Sequence, residues 1–274
     1  MTTQPASQPT SSRPTPRTIA GRYPEAQNID PAGDLLEELE AKAPKRALAI
    51  FAHPDDAEFT SGGTLALLCS RGWDVNVVVT TSGNKGTKDP EVTPQYLAGI
   101  REEEQRNASA ILGTHEPIFL GFPDGYVHDD DELRGLIVRQ LRLHRPELVI
   151  TWDGFRPGFN HRDHRNTGRA TYDAIYPAAD DHLYYVLDKE EELEPFRPQA
   201  MLLAGTQNAD YHVDITPVIR TKIDAILAHV SQVHGRTAEQ TMQQWEDRAK
   251  AAREAGDEGA SPYRESFTKV ILRR

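Results

Sequence analysis

The chain has 274 residues, 38% of them hydrophobic and 27% charged, the balance of a globular protein with a sizeable core. Charged and turn-forming residues interrupt every apolar run before the roughly 20 residues a membrane span needs, and the mean hydropathy of -0.61 agrees, so stable membrane insertion is excluded. With 42 acidic and 31 basic residues the formal charge is -11, which repels phosphate backbones and argues against nucleic acid as a partner.

Ser, Thr, Pro and Gln dominate residues 1–21, leaving too little apolar surface to offset the entropy of ordering them. This stretch reads as a disordered tail. It lacks the apolar centre of a secretory signal, and its prolines oppose the amphipathic helix of a transit peptide. Residues 22–274 read as one domain, with a core over about 45–235. Cys69 is the only cysteine, so no intramolecular disulfide can form and a metal site must use His and carboxylate ligands. The compartment this points to is the cytoplasm.

From Lys45 onward strand and helix patterns alternate. Arg46 to Ala52 is an apolar run of strand length, followed by a helix over Ser61 to Arg71 carrying Leu65, Leu67 and Leu68. Val75 to Thr80 is continuous and β-branched, as in a strand covered on both faces, and Pro94 to Leu112 is a long helix. Glu116 to Leu120 reads as a third strand, and Asp131 to His144 as a helix whose acidic start suits its dipole. Arg145 and Pro146 mark the stop before a fourth strand, Glu147 to Trp152. Beyond Asp163 come another helix, strands at Ala200 to Ala204 and Tyr211 to Ile215, and a helix from Pro217 to about Val233. Thr237 to Gly256 is charged with few apolar anchors, a peripheral helix or a mobile arm. Such alternation predicts the α/β class: a Rossmann-like three-layer sandwich with a mostly parallel sheet.

Ligands of such sheets bind beyond the carboxyl ends of the strands. His53-Pro54-Asp55-Asp56-Ala57-Glu58 leaves the first strand; any one of these residues could be a turn or helix cap, but together they bring an imidazole and two carboxylates out of the core. Asn160-His161-Arg162-Asp163-His164 follows the fourth strand, with His161 and His164 on one face of a starting helix. Asp163 there is either a helix cap or part of a site. Both segments fall at carboxyl ends that doubly wound topology gathers into one crevice, which favours a metal site.

These two blocks resemble the LmbE-like or PIG-L de-N-acetylases, whose relatives include mycothiol- and bacillithiol-pathway deacetylases and N-acetylglucosaminyl-phosphatidylinositol deacetylases. The Ala-His-Pro-Asp-Asp block stands at Ala52 to Asp56 and the His-x-Asp-His block at His161 to His164, and the resemblance runs from about Lys45 to Gln232. It implies zinc held by His53, Asp56 and His164, Asp55 as general base, and His161 stabilising or protonating the reacting amide, with Asp163 orienting a neighbouring histidine. Three protein ligands leave a fourth position for water, whose pKa zinc lowers toward about 7. A His and carboxylate set also accepts Fe2+, Co2+ or Mn2+. Two departures stand out: Glu58 follows Ala57, where relatives often place Glu directly after the second Asp, and Phe159 stands where some relatives carry a tyrosine.

In relatives a residue matching Arg101 contacts sugar hydroxyls; the other reading is an exposed, salt-bridged helix face. Asp124 either binds a hydroxyl or makes its turn. Ser82 to Gly86 is a pocket wall or a plain turn. Gly62-Gly63-Thr64 has neither P-loop nor dinucleotide spacing. His229, opening His229-Val230-Ser231-Gln232, either meets a helix dipole or serves the site. Trp73 and Trp245 read as packing residues; Trp152 is that or a sugar platform. The implied activity removes acetyl from an N-acetylated amino sugar of GlcNAc type or its glycoside, so the partner is a small N-acetyl sugar conjugate. An amidase on a related small amide or thiol conjugate, and a catalytically idle sugar-binding module, are the rivals. A homo-oligomer is left open.

Overall fold

The computed structural model describes residues 30, 33–42, 44–185, 188 and 191–272; the tail expected over residues 1–21 lies outside them. Five strands run parallel: β1 (Arg46–Phe51), β2 (Asp74–Thr81), β3 (Ile118–Phe122), β4 (Leu148–Trp152) and β5 (Ala200–Ala204). Two more, β6 (Tyr211–Asp214) and β7 (Arg264–Ile271), complete a seven-stranded sheet of order β3-β2-β1-β4-β5-β7-β6, with β7 antiparallel to both neighbours.

The central strands β1, β4 and β5 read as nearly unbroken apolar runs because both faces are covered. Ala47, Ala49 and Phe51 of β1, Val75, Val77 and Val79 of β2, and Leu148 and Ile150 of β4 pack toward α1 (Leu35–Lys42), α2 (Asp56–Ser70), α3 (Pro94–Leu112) and α6 (Ile219–Leu227). Leu48, Ile50, Val78 and Val149, the alternate residues, meet α4 (Asp131–His144) and α5 (Arg162–Asp173). Side chains one apart on a strand point to opposite faces, so this split produces the three layers the sequence predicts.

Because β1 pairs with β2 on one side and β4 on the other, the strand order reverses between β1 and β4. The crevice opens at such a switch point, and the two sequence blocks leave the sheet there.

Several boundaries differ from expectation. Helix α2 begins at Asp56, not Ser61, because Asp55 adopts φ 96°, ψ -26° and turns the chain straight into the helix. Strand β3 lies two residues later than expected. The helix expected from Pro217 to Val233 breaks into α6 and α7 (Val230–Val233), with His229 at the junction. Residues 237–256 hold a true helix, α8 (Ala238–Glu254), started by a capping box between Thr237 and Gln240. Neither α1 nor β7 is anticipated from the sequence, yet Leu35, Leu39 and Phe267 are fully buried.

Candidate active site

The loop between β1 and α2 carries His53 and Asp55, the first residue of α2 is Asp56, the loop after β3 carries Asp124, and the start of α5 carries His161, Asp163 and His164. Helix α5 reaches this position by lying directly on the end of β4: a Cβ at Gly168 would stand 2.3 Å from the Trp152 carbonyl oxygen and 2.8 Å from the Gly154 nitrogen. Only glycine permits that approach.

Three side chains converge. His53 Nδ1 lies 3.2 Å from His164 Nε2 and 3.4 Å from Asp56 Oδ2, and His164 Nε2 lies 3.3 Å from Asp56 Oδ1. Zinc with ligands at about 2.0–2.1 Å in a tetrahedron separates those ligands by roughly 3.3–3.4 Å, close to the His53–His164 spacing, while Asp56 meets the two imidazoles through different oxygens, Oδ2 toward His53 and Oδ1 toward His164. Charge suits a divalent ion. Burial opposes a proton on His53, but Asp124, Asp163 and Asp56 push its pKa up to about 12, the mark of a pocket with surplus negative charge. Burial works against the Asp56 carboxylate as well, yet His164 and His53 hold it well below its ordinary range.

A second layer holds these donors. Asp56 Oδ2 accepts from the Ala52 and His53 backbone N–H groups at 3.1 and 2.9 Å and from Trp152 Nε1 at 3.0 Å. The Trp152 ring also stacks on His164, with centroids 4.0 Å apart and planes 8° from parallel. On the far edge of His53, Nε2 meets Asp124 Oδ1 at 3.2 Å and Asp163 Oδ2 at 3.3 Å. These carboxylates are themselves fixed: Asp163 accepts from the Gly125 and Val127 N–H groups, and Asp124 Oδ2 from that of Lys85. The ligand atoms of His53, Asp124 and Asp163 also lie within 4.8 Å of one another, as do those of His53, His161 and His164. The backbone donors on Asp124 and Asp163 favour a supporting place for that pair, since a carboxylate behind a metal-bound imidazole fixes its tautomer.

Asp55 stands apart from the triangle. Its carboxylate faces Arg101 Nη2 at 3.2 Å, and burial, with adjacent Asp56, raises its pKa to about 7. His161 is the exposed capping residue of α5, and its Nδ1 accepts from the Asp163 N–H at 3.2 Å. A neutral ring therefore carries its proton on Nε2. Burial, with His53 and His164 nearby, lowers the His161 pKa, so neutral imidazole is the favoured form.

Arg101 and Asp124, read from the sequence as substrate contacts, are buried beside Asp55 and His53 respectively. Arg101 is 4% exposed, which corrects the reading of its helix face as solvated. It donates to the Gly83 carbonyl at 2.8 Å and the Pro54 carbonyl at 2.5 Å. Gly83, at φ +60°, leaves room for the guanidinium, since a Cβ there would lie 2.3 Å from Nη1; residues 82–86 thus form a wall built around Arg101. The sequence reading missed the Asp56 bond of Trp152 and overlooked Gln105, whose Oε1 accepts from the Asp55 N–H at 3.1 Å. The four-residue spacing of Arg101 and Gln105 on α3 is the one signal that could have found it.

Comparison with known proteins adds to this geometry. The profile of the PIG-L family, described as GlcNAc-PI de-N-acetylase, matches residues 48–175. Diacetylchitobiose deacetylase of Thermococcus kodakarensis is 34% identical over 217 residues, 77% of this chain and 81% of that protein. The 1D-myo-inositol 2-acetamido-2-deoxy-alpha-D-glucopyranoside deacetylase of a Mycobacterium species is 31% identical over 230 residues, covering 69% and 74%. Among solved structures, N,N'-diacetylchitobiose deacetylase from Pyrococcus horikoshii superposes with a TM-score of 0.74 at 28% identity, covering 85% of this chain and 86% of that one.

Proposed function

The chain belongs to the PIG-L family of GlcNAc-PI de-N-acetylases, and from that premise we propose that it is a metal-dependent hydrolase releasing acetate from an N-acetylated amino sugar of GlcNAc type or its glycoside. The observation that carries this reading is the triangle of the His53, Asp56 and His164 side chains, whose nearest polar atoms stand 3.2 to 3.4 Å apart with Asp56 turning Oδ2 to His53 and Oδ1 to His164, beside a carboxylate, Asp55, that takes no part in it. Zinc is the ion the two imidazoles and one carboxylate suit best.

An ion held by these three residues supplies Lewis acidity toward water and the acetamide oxygen. Asp55 takes the proton from the attacking water and returns it to the departing amine, a cycle suited to a carboxyl group whose pKa lies near 7. Arg101 keeps the Asp55 carboxylate turned inward. His161 donates from Nε2 to the acetamide oxygen as that oxygen gains charge, and the neutral ring suffices for this. Asp163 and Asp124 hold the His53 ring, while Trp152 holds Asp56 and His164.

The relatives' substrates, diacetylchitobiose and GlcNAc-inositol, are the first to assay. Metal-replete protein should release acetate from at least one of them, and chelation should abolish release until the ion is restored. Stoichiometric metal without turnover on any N-acetyl sugar would return the chain to the binding-module reading.

A further inference from the structure

Asp55 has an unusual backbone for a residue with a Cβ. At φ 96°, ψ -26° it occupies the left-handed region, which persists only where the surroundings over-determine it. Its side chain rests against Arg101, but its peptide N–H is held elsewhere, by Gln105 Oε1 at 3.1 Å. Gln105 is fully buried, and its Nε2 donates to Glu58 Oε1 at 2.7 Å. A peptide N–H can only donate and a carboxylate only accept, so the Gln105 amide fits one way round. Glu58 lies one turn beyond Asp55 on α2, so the bonds form a closed loop from Asp55 through α3 and back to α2.

The outer end of the loop is closed by the segment His229 to Gln232, whose role the proposed reaction leaves unexplained. His229 and Glu58 are both 0% exposed, and His229 Nε2 stands 3.3 Å from Glu58 Oε2, an ion-pair distance without hydrogen-bond geometry. Ser231 donates from its backbone N–H and its hydroxyl to the two oxygens of Glu104 on α3, both at 2.7 Å. Gln232 Nε2 reaches the Gly86 carbonyl at 3.4 Å, on the wall that encloses Arg101. The segment thus meets Glu58, which bonds Gln105, the α3 carboxylate of Glu104, and the wall around Arg101.

We infer that Gln105, held in one orientation by the Asp55 N–H and Glu58 with His229 packed behind Glu58, is a positioning residue that locks the Asp55 backbone and so aims its carboxylate at the attacking water. Its catalytic consequence rests on the deacetylase reading above; the clamp itself does not. The displaced Glu after Asp-Asp-Ala then has a function: at position 58 its carboxylate faces Gln105 beneath the site.

The test uses the full, metal-replete chain with N,N'-diacetylchitobiose as substrate. Gln105→Met keeps the side-chain length and removes the hydrogen bonds to Asp55 and Glu58 together with the longer one to Ser109 Oγ at 3.4 Å. It should lower kcat by roughly 10- to 100-fold, as expected for a misaimed group, with KM and bound metal near wild type and faster hydrogen exchange at the Asp55 amide. His229→Leu should lower kcat in the same manner, whereas His229→Gln, which keeps a donor toward Glu58, should restore most of it. Unchanged kcat in folded Gln105→Met, metal lost together with activity, or unchanged Asp55 exchange would overturn the inference. Should Gln105→Met fail to fold, the wild-type protein still decides the clamp: slow exchange at the Asp55 amide supports it and fast exchange overturns it. A wild-type protein that released no acetate would overturn the functional reading and with it the catalytic half of this one.

Discussion

Asp55 and Asp56 are neighbours in sequence with opposite surroundings, and substituting each by asparagine separates proton transfer from metal binding. Asp55 lies outside the triangle of close donor distances and faces one guanidinium group at 3.2 Å. Asn at position 55 keeps an oxygen for Arg101 and removes the base, so metal content should stay near wild type. Its kcat should fall by about 10² to 10⁴, equivalent to roughly 2.7 to 5.4 kcal/mol in barrier at 1.36 kcal/mol per tenfold. Asp56 is differently placed: three N–H groups converge on Oδ2 while Oδ1 faces His164. Asn at position 56 must aim its NH2 either at those three donors or at His164, and it loses the charged ligand in both orientations. Metal affinity should fall by more than the roughly 10- to 100-fold typical of a supporting residue. Elemental analysis after dialysis, paired with kcat at saturating N,N'-diacetylchitobiose, reads both effects. If Asp55→Asn loses metal while Asp56→Asn keeps it and loses only turnover, the two roles are reversed; full activity in both variants defeats the mechanism.

Trp152→Phe keeps a ring on His164 and deletes the Nε1 bond to Asp56, so metal affinity should drop roughly 10- to 100-fold; a competition titration with a chelator checks it, and an unchanged Kd makes Trp152 a packing residue only. Gly83→Ala drives a methyl group toward Arg101 Nη1, so kcat should fall while the triangle keeps its metal, measured by the same pair of assays. Arg142 is 3% exposed and bonds the carbonyls of Ala178, Ala179, Asp181, Tyr184 and Tyr185 and the Asp188 carboxylate. Arg142→Met should destabilise the fold by about 3 kcal/mol, because it removes the nearer of the two cations at a buried carboxylate, leaving Arg139 at 3.8 Å, and takes a donor from five carbonyls; denaturant unfolding reads that loss, and a change below 1 kcal/mol would contradict it.

What the sequence determined by itself is the part of the protein encoded locally. Ala47 to Phe51 is apolar at every position and Val75 to Thr80 at all but Asn76 and Thr80, and near-continuous runs of that kind already imply a sheet covered on both faces. The placement of His53 to Asp56 and His161 to His164 after two such runs was enough to locate the crevice, since strand ends in a doubly wound sheet share one edge. Tertiary structure alone decided which partner each polar side chain meets. Arg101, Glu104 and Gln105 lie in a helix that reads as a charged, solvated face, yet their partners Glu58, Pro54 and Ser231 stand 47 to 127 residues away. Asp124 looks like a turn residue until β3 brings its loop to His53, and β7 slips between β5 and β6 from the far end of the chain. Periodicity records whether a side chain is buried but not what it is buried against; polar partners in the core are set by distances of about 3 Å between elements remote in sequence, and only the assembled fold supplies those.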